Sequence, residues 1–162
     1  MNKIGDLPAH PLLVHAPIVL LPIMALLTVA IVVRPAWRER FGWWVVAGNF
    51  AVMLMLFFAT QSGEWLEGAQ REAGEVSRTL ESHAELGEAT RNMAGLMWLF
   101  TLGLLAVPRF AGTKDNRPGW YKPATMILSG LSVVIAVLAV VWIVRTGHSG
   151  ASEAWSDALT GG

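Results

Sequence analysis

The sequence predicts an all-α fold, a four-transmembrane-helix bundle with an extracytoplasmic amphipathic helix between spans two and three. Three observations carry this expectation. The 162 residues are 54% hydrophobic and only 15% charged, with a mean hydropathy of +0.48, too apolar for an ordinary water-soluble domain of that length. Four runs contain no Asp, Glu, Lys or Arg, namely Pro11 to Val33, Gly42 to Thr60, Asn92 to Val107 and Pro123 to Val144, and none shows the polar stripe of a soluble helix. The two short linkers, between the first pair of runs and between the last pair, are rich in basic residues, as cytoplasmic loops are.

Taken in order, the first run is long enough to span, since at about 1.5 Å per residue it covers roughly 34 Å against a hydrocarbon core of about 30 Å. Asp6, Pro8 and His10 precede it in place of a basic region and cleavage site, so it is expected to be retained as a span. Arg34, Arg38 and Arg40 follow, then the second run. From Gln61 to Arg91 the chain carries Glu64, Glu67, Glu72, Glu75, Glu81, Glu85 and Glu88 against Arg71, Arg78 and Arg91, and no proline interrupts residues 61–107. Ala69, Ala73, Val76, Leu80, His83, Gly87, Thr90, Ala94 and Met97 recur at steps of four and three, which puts them on one helical face. The spacing predicts an outer helix over about 64–91 that runs on into the short third span. Arg109, Lys114, Arg117 and Lys122 form the second basic linker. After the fourth span, Gly147 reads as a helix C-cap.

Tryptophans fit the same frame, with Trp37, Trp43, Trp44 and Trp120 at the basic ends, Trp65, Trp142 and Trp155 at the other, and Trp98 within a span. Residues 1–162 therefore read as a single membrane domain of a bacterial inner (cytoplasmic) membrane, with both termini extracytoplasmic. No long internal repeat is legible.

A formal net charge of zero offers no basic field for nucleic acid. The absence of cysteine excludes disulfides, iron–sulfur clusters, thiolate zinc sites and thioether-linked haem. No Ser-His-acid set, phosphate loop or His-Glu-x-x-His motif points to an independent enzyme. Transport is disfavoured because the four runs lack ionisable side chains other than His15, and Asn49 in the second reads as interhelical glue.

The plausible chemistry lies in His10, His15, His83 and His148, all expected at the outer membrane level. His15 and His83 sit where apolar residues are expected, and a polar ring near hydrocarbon is costly without a partner. Two readings of these residues stay open. In one, His15, His83 and His148 contribute to a haem b site, with Gly87, Thr90 and Ala94 leaving clearance for a flat ligand and Arg145 facing a propionate. All four histidines would equally suit copper, zinc or iron. In the other, they form a hydrogen-bonded cluster with no cofactor, His10 serving as a cap. Glu64, Glu81 and Glu85 are candidate partners for the imidazoles.

His10-Pro11-Leu12-Leu13-Val14-His15-Ala16-Pro17-Ile18, Ser62-Gly63-Glu64-Trp65, His83-Ala84-Glu85-Leu86-Gly87 and Thr146-Gly147-His148-Ser149-Gly150-Ala151 occur in that order between spans. Together they resemble the bacterial membrane family known as domain of unknown function 2231, over nearly the whole chain. The resemblance implies a four-helix membrane module, in some members joined to Rieske or cytochrome domains, and so a redox or metal-linked role. The expected function is binding of haem b or a transition metal at the extracytoplasmic face with electron transfer to a redox partner or the quinone pool. The alternative is a structural or assembly subunit of a larger membrane complex. Expected partners are the lipid bilayer and a redox or membrane-complex protein, with a homo-oligomer compatible with either.

Overall fold

The computed structural model describes residues 3–4, 7–73, 78–113 and 115–160. Four long helices dominate: α1 (Ala9–Val33), α2 (Pro35–Ala73), α3 (Arg78–Phe110) and α4 (Tyr121–Thr160). Ahead of them a two-residue antiparallel pair joins β1 (Lys3–Ile4) to β2 (Leu7–Pro8). Each of the four helices contains a stretch long and apolar enough to cross a membrane.

Residues 61–91 are helical, as the stripe predicts, but they are not one separate element. Residues 64–73 prolong α2 and residues 78–91 begin α3. Val76, Glu75 and Gly74 lie outside the described residues, as does Lys114 of the second basic linker. The inner half of the stripe is well buried, with Thr90, Ala94 and Met97 at 0% exposure, whereas Ala69 is exposed. With 39 residues in α2 and 40 in α4, these helices reach about 60 Å, twice the hydrocarbon thickness of about 30 Å. Helices of that length extend well past a hydrocarbon core, and exposed Glu64, Glu72, Glu81, Glu85 and Glu88 lie on the extension.

Gly147 does not cap a helix, because α4 runs through it to Thr160. The backbone ladder continues, and hydroxyls reinforce it: Thr146 donates to the Trp142 carbonyl at 2.9 Å, Ser149 to Thr146 at 2.9 Å and Ser152 to His148 at 3.0 Å. The left-handed glycine is instead Gly112, at φ 73°, in the loop between α3 and α4.

α1 packs against α2 and α4, and α3 packs against the same two, so α1 and α3 face each other diagonally. The apolar seam includes Leu21, Met24, Val52, Leu56, Met97 and Ala139. Large apolar side chains also point outward, including Leu26 at 71% and Met126 at 74% exposure, which suits lipid rather than water.

The two hairpins repeat one another, although the sequence shows no long repeat. A shift of 73 positions (83 − 10, 101 − 28) takes His10 to His83, Met24 to Met97 and Thr28 to Thr101. A shift of 87 (149 − 62, 143 − 56) takes Val52 to Ala139, Leu56 to Ile143 and Ser62-Gly63 to Ser149-Gly150. The four core pairs, Met24/Met97, Thr28/Thr101, Val52/Ala139 and Leu56/Ile143, are buried in both hairpins. α1–α2 and α3–α4 are thus related by an approximate two-fold rotation about the bundle axis. Within the core the symmetry is broken where Asn49, matched by Ala136, donates from Nδ2 to Thr28 at 3.1 Å and to Thr101 at 3.3 Å. One amide thereby ties three helices together.

Candidate functional site

At the end of the bundle where α1 and α3 begin, all four helices line a cavity of about 560 Å³, within the usual range for small-molecule sites. Val14, Ile18, Leu56, Leu66 and Ile143 make its apolar walls, and Glu64, Glu67 and Glu88 also border it. His10, His15 and His83 line it; His148 and Arg145 do not.

His10 comes from the first turn of α1 and His83 from the second turn of α3, and both are half-buried. The two-fold relation turns them toward each other across the bundle, with ring centres 6.2 Å apart and planes at 85°. Each ring is held by the adjacent helix. His10 Nδ1 lies 2.9 Å from the Ala59 carbonyl and 3.2 Å from Ser62 Oγ; His83 Nδ1 lies 2.9 Å from Ser149 Oγ.

The Ala59 carbonyl can only accept, so His10 carries its proton on Nδ1, which puts the lone pair of the neutral imidazole on Nε2, the arrangement of a metal-ligating histidine oriented from behind. Ser62 Oγ also stands 2.8 Å from the Ala59 carbonyl. At His83, Ser149 Oγ is 2.9 Å from both Nδ1 and the Thr146 carbonyl, and the same tautomer holds there when the hydroxyl proton goes to the carbonyl.

The glycines beside these serines are closely approached by the same rings. A Cβ on Gly63 would stand 3.0 Å from His10 Cε1, and one on Gly150 would stand 2.9 Å from His83 Cε1. A methyl group at either position would press on the ring lying against that helix and shift it.

The other sequence-predicted residues are dispersed. His15 is exposed, although it borders the cavity. His148 is exposed and donates nothing to the cavity wall; its backbone carbonyl accepts from Ser152. Arg145 is exposed with its guanidinium 4.7 Å from the centre of the Trp142 ring. Gly87 does line the cavity, and a Cβ there would meet Thr60 at an ordinary 3.7 Å. Of the carboxylates, Glu64 lies 3.9 Å from Arg91, exposed Glu81 pairs with Arg71 at 3.4 Å, and Glu85 is exposed. Among the described residues no three His, Asp or Glu side chains converge on a point that would hold a bare metal ion. Sequence reasoning missed Ser62 and Ser149 as imidazole partners; the recurrence of Ser-Gly after spans two and four was the available signal.

The model of a family described as predicted membrane protein, DUF2231, matches residues 6–161. No curated protein and no solved structure matches the chain.

Proposed function

The chain belongs to the DUF2231 family of predicted membrane proteins, and from that premise we propose that it is a haem-binding membrane module in which His10 and His83 would hold the haem. The observation that carries this reading is the pair of imidazoles brought within 6.2 Å of one another, centre to centre, at one end of the bundle, each held through Nδ1 by the adjacent helix. His10 and His83 would hold the group through their remaining ring nitrogens. A porphyrin brings four nitrogens of its own, so two protein ligands suffice where a bare ion would need three or four.

The chain's own groups have distinct tasks. Ser62, the Ala59 carbonyl and Ser149 hold the rings in place and raise imidazole basicity. The apolar walls would surround the body of the flat group, and the glycines at 87 and 147 leave room for it. When bound, the haem would supply one-electron chemistry, and electron transfer to a membrane or redox-protein partner is the role such a site serves. Arg34, Arg38, Arg40, Arg109, Arg117 and Lys122 lie near the opposite end of the bundle, which supports an outward-facing site in the inner membrane with both termini on the same side.

Titration of the purified protein in detergent with hemin tests this directly. The expected result is one saturable site per chain, lost in His10→Ala and in His83→Ala and kept in His148→Ala. Saturable binding that survives both ligand substitutions would contradict the assignment. A second reading, a structural subunit with a hydrogen-bonded histidine pair, is favoured by the occupied Nδ1 atoms alone, and it predicts no saturable hemin binding in any form.

A further inference from the structure

Thr28, Asn49 and Thr101, from α1, α2 and α3, are completely buried, at 0% exposure. The Thr101 hydroxyl donates to the Met97 carbonyl at 2.6 Å, so toward Asn49 it accepts. The amide therefore turns Nδ2 to it, and the same nitrogen donates to Thr28 Oγ1. That arrangement leaves two groups open. Asn49 Oδ1 is fully buried and has no hydrogen-bond partner among the described residues. Thr28, the two-fold mate of Thr101, makes no bond to the Met24 carbonyl to match the one from Thr101 to Met97, so among the described residues its hydroxyl proton is uncommitted. A buried carbonyl oxygen without a donor bears its full desolvation cost. Packing does not call for the amide either, since the matched residue on α4 is Ala136, buried without any polar atom in its side chain.

We propose that the open oxygen and the open hydroxyl mark a binding site for one internal water molecule, which donates to Asn49 Oδ1 and accepts from Thr28. The two ends lie within its reach. Oxygen and nitrogen of an amide are about 2.3 Å apart, and Nδ2 is 3.1 Å from Thr28 Oγ1, so Oδ1 is at most roughly 5.4 Å from that hydroxyl. A water making two hydrogen bonds of about 2.8 Å spans up to roughly 5.6 Å. The chemistry of the two groups selects the ligand: Oδ1 needs a donor, Thr28 needs an acceptor, and water is both. A metal cation would leave the Thr28 proton unused and meet no carboxylate, since none lies in the three runs that carry these residues. The site is separate from the histidine cavity. Leu56, the cavity-lining residue of α2 nearest to Asn49 in sequence, is about 10 Å farther along the helix, with buried Val52 between them.

The water site does not depend on haem, and the experiment separates the two. Solid-state nuclear magnetic resonance of the isotope-labelled protein in phosphatidylcholine nanodiscs measures polarisation passed from water to nearby carbons. Asn49 Cγ is expected to receive it clearly faster than the side chain of buried Val52. That contrast is read in the unmodified protein and stands whether or not any variant folds. Thr28→Val should abolish the transfer to Asn49, and Thr28→Ser, which keeps the hydroxyl, should retain it. His10→Ala should leave it unchanged, whatever it does to hemin binding. Exchanging sodium for choline in the buffer should not shift the Asn49 resonance. Transfer to Asn49 no faster than to Val52, transfer that survives Thr28→Val, or a shift on removing sodium would overturn the proposal.

Discussion

Ser62 and Ser149 occupy equivalent places in the two hairpins, and each hydroxyl stands against an imidazole: Ser149 Oγ against His83 Nδ1, and Ser62 Oγ, with the Ala59 carbonyl, against His10 Nδ1. Loss of such an orienting partner typically weakens metal affinity about 10–100-fold. Ser149→Ala should therefore raise the dissociation constant for hemin within that range, and Ser62→Ala should stay near its lower end because the Ala59 carbonyl still holds His10, as measured by spectrophotometric titration of each variant. Unchanged hemin affinity in both variants would mean that the serines do not orient the rings. At this scale the sequence made the histidines legible as the chemical groups, but it placed His15 and His148 with His83 and left His10 apart. The reason is helix phase. Neighbouring residues point about 100° apart around a helix, so the inward position of Ser149 and Gly150 turns His148 outward, and no composition argument could choose between them.

Among the elements, the consequential difference lies at the ends of α2, α3 and α4, which extend well past the apolar runs. Hydrophobicity located four helices able to cross a membrane; it could not bound the helices themselves, whose ends capping and turn residues decide. Gly147 looked like a terminus, yet it lies inside α4 with open space where a Cβ would stand, while a Cβ on Gly150 would stand 2.9 Å from His83. Gly147→Ala should therefore be neutral or stabilising, by up to about 0.5–1 kcal/mol, as for a helix-interior glycine. Gly150→Ala should destabilise by about 1–3 kcal/mol through overpacking and displace the imidazole. Thermal unfolding in detergent, followed by circular dichroism, distinguishes the pair. A marked destabilisation by Gly147→Ala would indicate that the helix ends there after all.

In the molecule as a whole, the two-fold relation explains why a functional pair can form from residues 73 positions apart in sequence. Four spans, their antiparallel order and the basic linkers were all readable from hydropathy and charge. The repeat was not, because the two helices of each hairpin shift by different amounts, 73 and 87 positions, the connection from α3 to α4 being longer than the single residue between α1 and α2. Few identities survive across it beyond His10/His83, Met24/Met97, Thr28/Thr101 and Ser-Gly; what persists is burial at equivalent places. Symmetry also brings the rings together nearly perpendicular, at 85°, and two imidazoles so disposed would leave a distinctive magnetic mark on a ferric haem held between them. Low-temperature electron paramagnetic resonance of the hemin-loaded protein should give a low-spin signal of strong anisotropy, absent in His10→Ala and His83→Ala. A high-spin spectrum, or a low-spin one unchanged when either histidine is removed, would contradict ligation by this pair.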